Sequence, residues 1–71
     1  MEMQTFASTA IASAQYDAAT LTLRIWFTSD PRRAYNYYAV PPHVWMEFRS
    51  AQSPGRYFHM AIEDTYSSNQ R

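Results

Sequence analysis

The fold is decided by residues 32–42, which read RRAYNYYAVPP. Tyr35 and Tyr37 are two positions apart, so in an extended chain their side chains lie on the same face. The residue that follows each tyrosine lies on the opposite face, and two consecutive prolines end the run. The pattern predicts a strand over residues 34–40, for which the rest of the chain supplies pairing partners.

Two further strands are predicted before this one. Residues 21–28 have the clearest pattern, because large apolar residues alternate with a mostly polar set. Trp26 falls in the polar set, so its ring is either a contact site on an open face or is covered by a partner subunit. A weaker pattern covers residues 8–16, and Asp17 begins a polar turn that joins the two strands. The apolar set of the clearer strand is Leu21, Leu23, Ile25 and Phe27.

The chain after the tyrosine strand has the spacing of helices. Pro42 suits the first position of a helix, where no N–H is needed, and residues 43–52 carry an apolar face at helical spacing. Ser53 and Pro54 are typical of the start of a second helix. The two apolar faces consist of Val44, Trp45, Phe48 and Ala51 in the first helix, and of Phe58, Ala61, Ile62 and Thr65 in the second.

We therefore predict a small α+β domain with the element order β-β-β-α-α. Strands joined by short turns pair antiparallel, and the two C-terminal helices cover the apolar face of the resulting three-stranded sheet. Residues 8–66 are expected to form this single domain, with residues 1–7 and 67–71 as flexible termini. The opposite sheet face would be open unless a second copy covers it.

Composition limits the classes of function. The absence of cysteine excludes disulfide and thiol chemistry and fits a reducing compartment. No apolar run reaches the roughly 18–20 residues of a membrane span, and the first residues lack a secretion signal, so we expect a cytoplasmic protein without membrane contact. The formal net charge is zero, which argues against strong nonspecific attraction to nucleic acid, although all six basic residues are arginine.

The order of these features resembles the KTSC domain, a small module found at the C-terminus of some lysyl-tRNA synthetases and as a stand-alone protein in bacteria and phages. The resemblance covers residues 8–66 and centres on a tyrosine-x-tyrosine signature, here Tyr35-Asn36-Tyr37. The other matching residues are Ser8-Thr9-Ala10-Ile11, Tyr16-Asp17, Leu21, Leu23, Phe27, Val40-Pro41, Val44, Phe48, Ala51, Ser53, Gly55, Tyr57-Phe58, Ile62 and Tyr66.

Three positions depart from the family pattern. Gln15 replaces a glycine before the Tyr-Asp pair, residues 29–33 replace a turn glycine, and His59 replaces an asparagine after Tyr-Phe. These changes affect turn geometry and any contact made by that asparagine, and leave the hydrophobic framework intact. The resemblance implies a small binding module for which RNA is the suggested ligand, and it implies no catalytic residues.

Four aromatic residues are candidate contacts. Tyr35 and Tyr37 either form an exposed platform on which bases stack, as sheet-surface aromatics do in several single-strand RNA binders, or pack as core beneath the helices. In the second case Tyr38 and Trp26 become the exposed pair. The exposure of these four side chains decides between the two interpretations.

Three arginines are candidate phosphate contacts. Arg32 and Arg33 lie in a turn, and Arg56 lies in the first turn of the second helix, where free N–H groups also favour anions. The alternative is that all three are solvated surface charges.

The remaining polar residues suggest no chemistry. The two i, i+4 pairs, His43 with Glu47 and His59 with Glu63, are most simply surface ion pairs, and no metal or cofactor is predicted. One glycine in the chain argues against a phosphate-cradling loop, so we expect no enzyme. The expected function is binding of RNA or other single-stranded nucleic acid, and the alternative is a protein-interaction or dimerisation module of bacterial or phage origin.

Overall fold

The computed structural model describes residues 1–69, in which four strands precede a helical layer. No helix in this part of the chain is long and apolar enough to cross a membrane. The elements are β1 (Glu2–Thr5), β2 (Ile11–Asp17), β3 (Thr22–Phe27), β4 (Asp30–Tyr37), α1 (Pro42–Ser50), α2 (Pro54–Tyr57) and a π-helical turn (Phe58–Ile62) that continues α2.

The sheet is antiparallel with the strand order β1-β2-β3-β4, so the predicted count of three strands is wrong. The additional strand, β1, lies within residues 1–7, which the sequence assigns to a flexible terminus. It pairs Met3 with Gln15, and the Glu2 carboxylate accepts a hydrogen bond from Arg49 of α1 at 2.7 Å. Most side chains of β1 are exposed, so this strand needs no alternation of apolar residues. Its sequence therefore carries no pattern that would predict a strand. The α+β class, the antiparallel sheet and the C-terminal helices are confirmed.

The hairpin between β2 and β3 differs from the prediction at one residue. Asp17 caps the turn as expected, since its Oδ1 accepts a hydrogen bond from the Ala19 N–H at 3.0 Å. Leu21, predicted as a core position of the strand, is 37% exposed and has a φ of 55°. Residues with side chains seldom adopt this left-handed conformation. The turn therefore takes Leu21 out of the strand, and β3 begins at Thr22.

Strand register decides which face the tyrosines occupy. Tyr37 pairs with Leu23, and Tyr35 pairs with Ile25, so both tyrosines lie on the face that the helical layer covers. The buried core between sheet and helices consists of Ile11, Ala14, Tyr16, Leu23, Ile25, Tyr37, Val40, Val44, Trp45, Phe48, Phe58 and Ile62.

Tyr16 joins the sheet to the segment that leads into α1. Its hydroxyl donates a hydrogen bond to the Val40 carbonyl at 2.5 Å, and its ring stacks on Trp45 with centroids 5.6 Å apart. Burial raises the pKa of the Tyr16 hydroxyl. Ala39, with a φ of 58°, turns the chain between β4 and α1.

The second predicted helix is only partly regular. Ser53 caps α2 as expected, because its Oγ accepts a hydrogen bond from the Arg56 N–H at 3.4 Å. After one turn the backbone widens, and the Glu63 N–H donates to the Phe58 carbonyl at 2.9 Å. The π-helical turn buries both Phe58 and Ile62 against the sheet. Such turns are frequent at functional sites.

The chain after the π-helical turn returns to the edge of β4. The Tyr38 N–H donates to the Ser67 carbonyl at 3.0 Å, and the Asn69 N–H donates to the Asn36 carbonyl at 3.1 Å. Residues 67–69, which the sequence assigns to a flexible terminus, thus hydrogen-bond to β4. Residues 70–71 lie outside the described residues.

Candidate functional site

Four of the seven candidate contacts can be assigned to one of the two sheet faces. Tyr35 and Tyr37 lie on the covered face, and Arg33 joins them there at the sheet edge. Trp26 lies on the opposite face, because its neighbours Ile25 and Phe27 point into the core side. The other three candidates, Tyr38, Arg32 and Arg56, are exposed.

Burial separates the two signature tyrosines. Tyr37 is 5% exposed and belongs to the core, which is the second of the two alternatives for this ring and excludes it from an open platform. Tyr35 is half-buried and packs at the periphery of the core. The tyrosine-bearing sheet face is therefore the face beneath the helices, and only Tyr35 is accessible at its edge.

A cleft of about 270 Å³ opens at this edge, between the end of β4 and the π-helical turn. We call it the edge cleft. Aromatic side chains line its walls, and polar side chains line its rim. The aromatic residues are Phe27, Tyr35, Tyr37 and Phe58, and the polar ones are Ser29, His59 and Glu63.

Edge-to-face ring contacts fix the walls of the edge cleft. The Phe27 ring meets Tyr35 at 5.2 Å and Phe58 at 5.1 Å, and Tyr37 meets Phe58 at 5.5 Å. Each contact has the T-shaped geometry that aromatic quadrupoles favour. The walls are thus held by packing before any ligand arrives.

An irregularity in β4 lies shortly before Tyr35, one of the residues that line the cleft. Ala34 pairs with Trp26, but the next residue of β3, Phe27, pairs with Asp30. Residues 31–33 therefore bulge out of the sheet, at the segment that replaces the family's turn glycine. The Arg33 guanidinium lies 5.3 Å from the centroid of the Tyr35 ring, a cation–π contact.

The far side of the cleft is formed by α2 and the π-helical turn. His59 Nδ1 and Glu63 Oε1 are 2.8 Å apart, so the predicted i, i+4 contact is confirmed. Gly55 approaches Ala10 so closely that a Cβ on it would lie 3.0 Å from the Ala10 Cβ, which keeps α2 tight against the sheet. Arg56 follows Gly55 and is exposed beside this wall.

Residues 1–69 hold no cluster of three or more metal-ligating side chains.

The second surface is the sheet face that no described element covers, which we call the open face. Trp26 is half-buried there, between Ser13 of β2 and Ala34 of β4. Arg24 Nε donates to Asn36 Oδ1 at 2.8 Å across the neighbouring strands. By strand alternation the open face carries Met3, Thr5, Ser13, Gln15, Asp17, Thr22, Arg24, Trp26, Ala34 and Asn36.

The family model of the KTSC domain matches residues 7–66. This chain belongs to the KTSC domain family. The KTSC domain described here is 36% identical over 64 residues to a protein from Tsukamurella paurometabola, covering 90% of this chain and 92% of that one. It is also similar to the crystal structure of a KTSC domain protein from Yersinia pestis, with a TM-score of 0.86 and 31% identity, covering 94% of this chain and 92% of the other. The resemblance found in the sequence is confirmed.

Sequence reasoning did not find the edge cleft of this KTSC domain. Phe27 and Phe58 were assigned only to the core, and the His59–Glu63 pair only to the surface. One signal was available, because His59 occupies a position where the family commonly has asparagine, directly after Phe58. The sequence does not show that His59 lies at a cleft, because the cleft forms only where the π-helical turn contacts β4, and these two elements are far apart in the chain.

Proposed function

We propose that this KTSC domain binds single-stranded RNA and that one unstacked base enters the edge cleft. The observation that carries the proposal is the Arg33 guanidinium 5.3 Å from the Tyr35 ring, at the mouth of a cleft walled by aromatic rings. Proteins bind single-stranded RNA by stacking splayed bases on aromatic rings and on arginine guanidinium planes. The function involves no catalytic step and no cofactor.

The size and lining of the edge cleft suit a base. Its volume of about 270 Å³ lies just below the roughly 300–1,000 Å³ of sites for larger ligands, so it favours one ring system over a whole cofactor. An entering ring would stack on Tyr35 at the edge of the aromatic walls, and its own edge would meet the polar rim of Ser29, His59 and Glu63. Polar groups at a rim provide orientation, and apolar walls provide affinity.

Local charge must attract the phosphates, because the chain has no net charge. Arg33 lies at the Tyr35 ring, Arg32 precedes it in the same bulge, and Arg56 follows Gly55, which lines the cleft. We expect two or three phosphate contacts from these arginines. For single strands this gives a slope of log K against log salt of about −1.4 to −2.1.

The test is fluorescence polarisation with short labelled uridine and adenosine oligoribonucleotides at two or more salt concentrations. Because base–aromatic stacking contributes about 1–3 kcal/mol, Tyr35→Ala is expected to weaken binding about tenfold, and Tyr35→Ala with Arg33→Ala more strongly. Tyr37→Ala is a poor probe, since Tyr37 is core and its loss would disturb the fold.

The matched control is Trp26→Ala, which removes an aromatic ring from the open face and is expected to leave RNA affinity unchanged. Circular dichroism and thermal melts establish that each variant is folded. Wild-type affinity in the folded Tyr35/Arg33 double variant would refute the proposal. A loss of binding in Trp26→Ala alone would place any RNA contact on the open face instead.

A further inference from the structure

The open face has the features of a surface that fits a copy of itself. Its one large ring, Trp26, stands in a row of small side chains, with Thr5 and Ser13 on one side and Ala34 on the other. A large ring and a row of small side chains therefore occur on the same face. Self-complementary patches of this kind form isologous two-fold interfaces.

We infer that a second copy of this chain packs on the open face, with a two-fold axis that runs parallel to the strands between β2 and β3. Such an axis exchanges β2 with β3 and keeps each residue at the same height along the strands. Trp26 and Ser13 are register partners across β2 and β3. The axis therefore sets Trp26 of each copy opposite Ser13 of the other, so that each ring packs on the small side chains of the other copy. Face-to-face sheets of this type stack about 10 Å apart.

The charges on the open face support the same arrangement. Arg24 and Gln15 are also register partners, so the axis sets Arg24 of one copy opposite Gln15 of the other. Asp17 lies two residues from Gln15 on the same face, within the reach of an arginine side chain of the opposing copy. Like charges are thus not opposed, and the net charge of zero adds no overall repulsion between copies.

The area of the open face limits the strength of the dimer. Four strands about 4.8 Å apart place the outermost strand axes only about 14 Å from each other. Stable interfaces bury about 800 Å² on each partner, and this small face provides less. We therefore expect a dimer that forms with rising protein concentration and dissociates on dilution.

The test is sedimentation equilibrium of the wild-type protein over a range of concentrations. A second readout uses the Trp45→Phe variant, in which Trp26 is the single remaining tryptophan and the source of the tryptophan fluorescence. We expect a monomer–dimer equilibrium, and a blue shift of the Trp26 emission as concentration rises, because the ring leaves water. Trp26→Ala is expected to raise the dissociation constant at least tenfold, as truncation of a central aromatic residue does.

Two charge variants sharpen the geometry. Ser13→Glu places a carboxylate beneath the opposing Trp26 ring and is expected to abolish the dimer. Gln52→Glu adds the same charge at an exposed position on the helical layer and is expected to leave association unchanged. Equal effects of the two variants, or a monomer at every concentration up to about 1 mM, would overturn the inference.

The dimer and the RNA site are separable. Tyr35→Ala acts in the edge cleft and is expected to leave the dissociation constant of the dimer unchanged. Trp26→Ala acts on the open face and leaves RNA affinity unchanged. Each variant thus serves as the control for the other.

Discussion

Ile25 and Trp26 are neighbours in β3, and their side chains occupy opposite faces of the sheet. Ile25 is fully buried beneath the helical layer, whereas Trp26 is half-buried among small side chains on the open face. The larger side chain thus lies on the face that no described element covers. The covered face therefore carries the packing that stabilises the fold, and the open face carries much less of it. Variants on the two faces should differ accordingly.

Substitution of the two neighbours gives the largest expected difference. Ile25→Ala removes a fully buried side chain and is expected to lower the free energy of unfolding by about 2–5 kcal/mol. Small domains have a total stability of only about 3–5 kcal/mol, so this variant will be largely unfolded. Trp26→Ala, measured at a dilution where the protein is monomeric, is expected to cost about 1 kcal/mol or less. Urea titrations followed by circular dichroism measure both, and equal losses would show that the open face also carries core packing.

Alkaline pH is expected to destabilise the fold through the ionisation of two tyrosines, Tyr16 and Tyr57. Burial and the hydrogen bond that Tyr57 donates to Glu47 at 2.7 Å raise the pKa of Tyr57 above its usual value, and burial raises the pKa of Tyr16. The unfolded chain then ionises first, so this contribution is complete below about pH 10 and is lost as pH rises through the folded pKa values. We expect the melting temperature to fall steeply above about pH 10.

Tyr57→Phe supplies the control for that pH dependence. The variant keeps the ring and removes the ionisable hydroxyl, so its loss of stability above about pH 10 should be shallower than that of the wild type. An unchanged alkaline slope would mean that Tyr57 ionises equally easily in the folded and unfolded chains.

The smallest expected effect concerns the connection between the sheet and its helical cover. Ala39 is exposed and has a φ of 58°, a conformation that costs a residue with a Cβ about 1–2 kcal/mol. Glycine adopts it freely but loses more entropy on folding, by about 0.5–1 kcal/mol. Ala39→Gly is therefore expected to raise the free energy of unfolding by about 0.5 kcal/mol. Ala18→Gly, at an exposed position for which the structure records no positive φ, should instead be neutral or destabilising.

Local sequence patterns were sufficient to predict the elements that depend on residues close together in the chain. The alternation in residues 22–27 predicts β3, Pro42 marks the start of α1, and Asp17 and Ser53 cap the turn and the helix as expected. The tyrosine-x-tyrosine signature identified the family. Two-residue periodicity also established that Tyr35 and Tyr37 share a face, with Trp26 on the face opposite to Ile25.

Periodicity does not say which face is covered, because that depends on where distant elements pack. The helical layer packs on the sheet face that carries Ile25. This packing buries Tyr37 and leaves Trp26 accessible on the other face. The pairing of β1 and the contact of the π-helical turn with β4, which forms the edge cleft, join residues far apart in the chain. Sequence alone therefore determined which side chains lie together along each strand, and only tertiary packing, which is non-local, decided which of them are available to a ligand.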